Sequence, residues 1–218
     1  MDRMMTMHFF KAVRLGMMFA FVAGIGLSLQ LSTAQAQEDG YSVMVGLPVS
    51  YKISVDENDT NNQDLSAKSP SGLRIMVNTP VNLGVGVGSY SSQFEKSDNP
   101  NVNLFWGERE IDYSFLEIMF TIPVSIVRFG IGFGLGSAEF TPAKVSAPPP
   151  FTAFYQEFKK SDAQEWFLMV GARLGDSFGV HAGFHAMTVD LVIRNYDGTE
   201  ITGDFGATMG VVNGSYYF

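Results

Sequence analysis

At 218 residues, with 23 glycines and no cysteine, the chain is long enough for one domain and has no disulfide framework. Charged residues make up only 17% and aromatics 13%, a balance suited to a surface that meets hydrocarbon as well as water. Residues 1–36 hold Arg3, Lys11, Arg14 and Asp2, which leaves 11 Lys/Arg against 21 Asp/Glu in 37–218; a net charge of −10 excludes the basic footprint of a nucleic-acid binder.

The first element is an export signal. Arg3, Lys11 and Arg14 precede an uncharged apolar run from Leu15 to Leu31, and Ala34-Gln35-Ala36 follows as an A-x-A site. This order predicts a Sec-type signal peptide over residues 1–36, cleaved before Gln37, with an uncleaved transmembrane anchor as the rival reading. Beyond residue 36 no apolar stretch reaches the length of a membrane helix. A membrane-spanning chain of this kind must therefore be a closed barrel, which satisfies its backbone groups between strands.

Period-2 alternation begins at once. From Tyr41 to Val55 the odd positions are Tyr, Val, Val, Leu, Val, Tyr, Ile and Val, and the even positions are small or polar. The pattern recurs at Leu73–Asn78, Val81–Gly88, Leu116–Val124, Val127–Gly136, Glu165–Leu174 and Phe178–His185, and less regularly at Asp204–Phe218. The fifth segment is the clearest, with Val127, Phe129, Ile131, Phe133 and Leu135 facing away from Arg128, Gly130, Gly132, Gly134 and Gly136. Upstream of Leu116 the residues Ile111, Tyr113 and Phe115 carry the opposite phase, which predicts a bulge near Phe115. Three connections are tight, at Thr79-Pro80, Val124-Ser125 and Gly175-Asp176-Ser177; four are long and polar, at about 56–71, 96–110, 144–163 and 194–203. Short turns alternating with long loops fit periplasmic turns and extracellular loops. The fold class expected is all-β, an eight-stranded antiparallel up-and-down transmembrane β-barrel over residues 37–218. A soluble lipocalin-like barrel, the structural alternative, would not concentrate loop length at one rim.

In this layout the chain resembles the small outer-membrane barrels of the OmpA/OmpX type, over the whole of 37–218. The most specific part is the end, Tyr216-Tyr217-Phe218. The resemblance implies that Tyr216 and Phe218 belong to the signal read by the barrel-assembly machinery, with periplasmic chaperones as further biogenesis partners. It also implies residence in the bacterial outer membrane among lipid and lipopolysaccharide, as a monomer. Gly210 and Gly214 depart from the commonest form of that terminal pattern.

The alternation places Lys52, Arg74, Glu117, Arg128, Glu165, Arg173, His181 and His185 in the lumen. Charges in so narrow an interior must pair or stay hydrated. A network is expected around Glu117 with Arg128, extending to Arg74 or Arg173, with Glu165 in the same lumen set. Such a network plugs the barrel; the glycines of strands three and five leave room that keeps a gated conduit open as an alternative. His181 and His185, four apart on one strand, lie about 13 Å apart, too far to share an ion. Neither has an evident serine partner, so no catalytic residue, metal or cofactor is expected, and lipid A modification is not the reading. DENDTNNQD at 56–64 lacks the glycine and terminal glutamate of an EF-hand. In the 144–163 loop, Phe151, Phe154, Tyr155 and Phe158 give an apolar side, and Lys159 and Lys160 suit lipopolysaccharide phosphates. The function expected is a non-enzymatic surface protein acting in envelope integrity or adhesion, with a narrow channel of the OmpW type as runner-up.

Overall fold

The structure is a computed structural model that describes residues 40–54, 67–95, 109–141, 144–145, 156–195 and 197–218. Residues 1–36, the expected export signal, the 56–64 acidic segment, and Phe151, Phe154 and Tyr155 lie outside the described residues. Among the described residues there are ten strands: β1 (Ser42–Ser54), β2 (Ser71–Asn78), β3 (Leu83–Gln93), β4 (Glu110–Val124), β5 (Val127–Thr141), β6 (Lys144–Val145), β7 (Gln156–Phe158), β8 (Ser161–Leu174), β9 (Phe178–Asn195) and β10 (Glu200–Tyr217). Eight of them form a ring in the order β10-β1-β2-β3-β4-β5-β8-β9, closed by the β9–β10 ladder, and every pair is antiparallel. Short β6 and β7 stand beside the far end of β9.

The three tight turns and the two ends of the described barrel lie at one rim. Asn82 and Ser125 take positive φ there (64° and 58°), backbone that only a tight reversal of direction demands. Starting from this rim, side chains facing outward are apolar: Val45, Leu47, Ile75, Val77, Val85, Leu116, Ile118, Phe129, Leu135, Leu168, Val170, Val180, Phe184 and Val212 are all exposed. On β5 this outward run lasts from Val127 to Leu135, close to the 9–11 residues a tilted strand needs to cross a bilayer. The barrel therefore spans a membrane, with its backbone bonds satisfied by closure.

Above that band both faces exchange character while the strands continue. Outward positions become Ser114, Asp112 and Glu110 on β4, Ser137 and Glu139 on β5, Asp162 on β8 and Asp190 on β9. Inward positions become Phe115, Tyr113, Ile111, Ala138, Phe140, Ala163, Met187, Val189 and Leu191, all buried in one apolar cluster with Phe94 and Phe205. The lower storey is built for lipid, with a polar and glycine-rich interior. The upper storey is built for water, with an ordinary hydrophobic core.

This inversion corrects two sequence expectations. No bulge occurs near Phe115, since β4 keeps an unbroken register with both neighbours. Ile111, Tyr113 and Phe115 face inward on the same phase as Glu117; what changes is the medium outside, not the pleat. The connection at 194–203 is likewise not a long loop. β9 and β10 pair up to Arg194 with Glu200, and beyond that rung the Asn195 N–H donates to the Thr199 carbonyl at 2.8 Å.

The register shift that does occur lies in β1, between Pro48 and Ser50. It leaves Val49 unpaired with β10 and moves Tyr51 and Ile53 inward. Lys52 is consequently exposed on the outside, not in the lumen as the unbroken alternation implied. The same strand pairs with β2 only from Ser42↔Asn78 to Gly46↔Arg74, although both strands run on past that rung.

Candidate functional site: the occluded lumen

The lumen of the lower storey is assembled by cross-strand size complementarity. β3 and β5 present Gly86, Gly88, Gly130, Gly132 and Gly134 inward, opposite long side chains from β2, β4 and β8. A Cβ on Gly88 would collide with Glu117 Oε1, one on Gly132 with the Phe167 ring, and one on Gly134 with Glu165. The glycines therefore do not leave a passage. They make the volume that Glu117, Phe167 and Glu165 fill.

At mid-height this produces a dry polar belt. Arg74, Glu117, Glu165 and His185 are all fully buried. Arg74 Nε donates to Glu117 Oε2 in an ion pair, and Arg74 Nη1 donates to Asn213 Oδ1 at 3.3 Å. Its guanidinium lies 4.3 Å from the centroid of the Phe167 ring. Tyr90 donates its hydroxyl to Glu117 Oε1 at 3.3 Å. His185 Nδ1 is 3.0 Å from Glu165 Oε2, and its ring stacks on Phe167 at 4.8 Å. Met44, Met76, Met119, Phe167 and Met169 form an apolar cluster around the belt, the flexible thioethers filling irregular gaps.

Arg128 and Arg173 are not part of this belt. In the β4–β5 ladder Glu117 stands opposite Gly134, whereas Arg128 stands opposite Pro123, about 20 Å further along the strand toward the turn rim. Glu117 pairs with Arg74 on β2 instead. Arg128 and Arg173 both lie over the Tyr217 ring, at 5.2 and 4.7 Å, near the turn rim. Equal phase on neighbouring strands had suggested contact; the register puts the residues at different heights.

His181 sits in the same lower region, with Nε2 2.9 Å from Ser215 Oγ, a serine partner that the sequence did not disclose. His181 and Asn213 are cross-strand neighbours, which makes Ser215 the next inward residue, a relation set by register. The pair lacks an acid at His181 Nδ1, which is buried with no hydrogen-bond partner, and both residues are buried. This is a lumen-filling contact, not a triad. A cavity of about 20 Å³ at this rim, lined by Ser42, Asn78, Asn82, Arg128 and His181 among others, has room for about one water. Among the described residues no cluster of three metal-ligating side chains occurs.

The upper opening is sealed separately. Phe94 stacks on Phe140 at 6.3 Å and meets Phe205 edge-on at 6.0 Å. Phe158, from β7, is buried over Phe140 at 5.4 Å, with the Arg109 guanidinium 4.2 Å from its ring. Of the loop residues expected to form a contact surface, Phe158 thus turns into the core. Lys159 binds Glu200 in an ion pair, and Lys160 is exposed. At the opposite end Phe218 faces outward and stacks on Tyr41 at 6.5 Å and on Tyr216 at 6.3 Å.

No family model and no curated protein matches the chain. Solved structures do match. The solid-state NMR structure of outer membrane protein AlkL in lipid bilayers is 14% identical and covers 83% of this chain and 91% of its own, at a TM-score of 0.49. Neisserial surface protein A is 9% identical, covering 82% and 96% at 0.49. OprG from Pseudomonas aeruginosa is 10% identical, covering 83% and 97% at 0.46. The protease OmpT from Escherichia coli also matches, at 9% identity, 83% and 94% coverage and 0.38. All are bacterial outer-membrane barrels. The likeness carries no function across, neither transport nor proteolysis; the architecture rests on the strand register described above.

Proposed function

We propose that this chain is a non-conducting barrel of the bacterial outer membrane that holds a rigid platform above the lipid, for envelope integrity or surface contact. The observation that supports this reading best is double occlusion. The Arg74–Glu117–Glu165–His185 belt fills the lower storey, and the aromatic cluster with Phe158 fills the upper one. In this reading residues 1–36 leave as a signal peptide, and the terminal strand with Tyr216 and Phe218 is read by the barrel-assembly machinery. Lipid and lipopolysaccharide surround the apolar band. Residues 56–64 and 146–155, with Lys159 and Lys160, supply the outer surface; Phe151, Phe154 and Tyr155 are the apolar contacts of that surface. The protein acts as a monomer, without catalytic residue, metal or cofactor.

Single-channel recording in planar bilayers tests this directly. The expected result is the absence of stepwise currents from the purified, folded barrel. Stable currents whose size changes with Glu117→Gln would overturn it.

A narrow transport barrel is the second reading, and one feature favours it. The β1–β2 ladder stops at Gly46↔Arg74, which leaves the wall without described pairing between the upper part of β1 and Leu73. An apolar solute leaving the interior sideways would pass there. Faster entry of an apolar dye into liposomes that carry the barrel than into empty ones would support this reading over the first.

A further inference from the structure

The belt contains two carboxyl groups but a single guanidinium, and this fixes how many protons it holds. Ions with no access to water are tolerated only when their charges cancel locally and their remaining lone pairs find donors. Arg74 and Glu117 meet that condition together. Glu117 accepts from the guanidinium at Oε2 and from Tyr90 at Oε1, so it is satisfied as a carboxylate.

Glu165 is in a different position. The groups that face it are Glu117 from β4, Arg74 from β2, Tyr90 from β3 and His185 from β9. Arg74 is already matched by Glu117. His185 supplies one contact, Nδ1 to Oε2 at 3.0 Å, while Oε1 is buried and meets no donor. Glu117 and Glu165 stand on the same rung on either side of Gly134, which has no side chain to separate them. Two ionised carboxylates are both acceptors, so a contact between them is completed only by a proton. That proton does not belong on the imidazole. His185 Nε2 is buried without a partner, and an imidazolium would place a charged donor there with nothing to accept it.

We propose that Glu165 is a neutral carboxylic acid in the folded barrel. It accepts the His185 Nδ1–H at Oε2 and donates its own proton toward Glu117. The belt then consists of one ion pair and one neutral hydrogen-bonded pair, with no net charge. The inward face of β8 is in this sense a proton-binding site of the lumen, formed only when β4, β8 and β9 come into register. Nothing in it depends on whether the barrel conducts.

Infrared spectroscopy of the folded barrel in detergent, with carbon-13 label on glutamate, reads the protonation state. A glutamic-acid carbonyl band shifted by the label is expected in the wild type and absent from Glu165→Gln. Denaturant unfolding of the same proteins gives a second reading. Glutamine reproduces the shape, the charge and the donor of a protonated glutamate, so Glu165→Gln should unfold at the wild-type midpoint. Glu117→Gln strands the Arg74 charge and should lower the folding equilibrium constant by ~100-fold or more. A wild type without the labelled acid band would overturn the proposal. So would a Glu165→Gln protein that fails to fold or loses as much stability as Glu117→Gln.

Discussion

The rings of Phe158 of β7 and Phe140 of β5 meet at a tilt of 39° with centroids 5.4 Å apart, on strands that the ring itself does not make neighbours. The chain leaves the barrel after β5, and by way of β7 it lays a single aromatic side chain back into the mouth before β8 descends. The Arg109 guanidinium also lies over that ring, 4.2 Å from its centroid. Truncation of a buried phenylalanine costs about 3–5 kcal/mol in a well-packed core. Phe158→Ala is therefore expected to destabilise the upper storey by about 3 kcal/mol. Amide hydrogen exchange should speed up at Ile111, Ala138 and Leu191 and stay unchanged near Met44 and Met169. Uniform loss of protection along the whole length of β4 would show that the two storeys unfold as one unit.

Removing one partner of the buried Arg74–Glu117 pair should be far worse than removing both. Arg74→Met leaves a carboxylate with no counter-ion in a dry interior, for which a loss of about 3–5 kcal/mol is expected. Arg74→Met combined with Glu117→Leu replaces the pair by apolar volume next to Met44, Met76 and Phe167. The double variant should recover most of that loss, because the apolar cluster already adjoins the site. Urea titration in detergent, followed by tryptophan fluorescence, measures each step of this cycle.

The glycines of the wall make a sharper contrast, since their chemistry is identical and their surroundings are not. A Cβ on Gly132 would overlap the Phe167 ring, while one on Gly214 meets nothing. Gly132→Ala is expected to cost about 1–3 kcal/mol by overpacking, whereas Gly214→Ala, facing lipid, should fall within about 0.5 kcal/mol of wild type. Phe167→Leu in the Gly132→Ala background should relieve part of the strain. Refolding yield by electrophoretic mobility of the unheated protein would report both outcomes.

Much of this barrel was legible in the sequence because the bilayer imposes one rule on every strand of the lower storey. Phe129, Ile131 and Phe133 against Gly130, Gly132 and Gly134 can be read no other way. Three things were hidden. The upper storey obeys the opposite rule, so the alternation read over Phe178–His185 stopped short of Met187, Val189 and Leu191, which continue its inward face. Heights across a ladder depend on register, which alternation does not encode; Glu117 therefore met Arg74 and not Arg128. The extra residue at Val49 reversed the phase of Lys52 without any local sign in composition. The Ser215 contact of His181 was hidden for the second of these reasons.

Glu200 offers a pH test outside the membrane band. The hydrogen bond from Lys159, followed by that from Arg194, holds its carboxyl below the ordinary glutamate value of 4.5. A carboxylate with a lowered value in the folded state stabilises the fold above its unfolded value, and that contribution disappears as pH falls through the folded one. The element that depends on it is β7, tied to β9 by the Lys159 N–H donating to the Val192 carbonyl at 3.0 Å. Protection of the Lys159 amide against hydrogen exchange, corrected for the intrinsic rate, should hold at neutral pH and decline on acidification below 4.5. Glu200→Gln should show the low protection at both values, with no further change on acidification. Because Glu200 is exposed, added salt should reproduce part of the acid effect at neutral pH by screening both cations. An amide whose protection ignores both acid and salt would show that β7 is held by Phe158 alone.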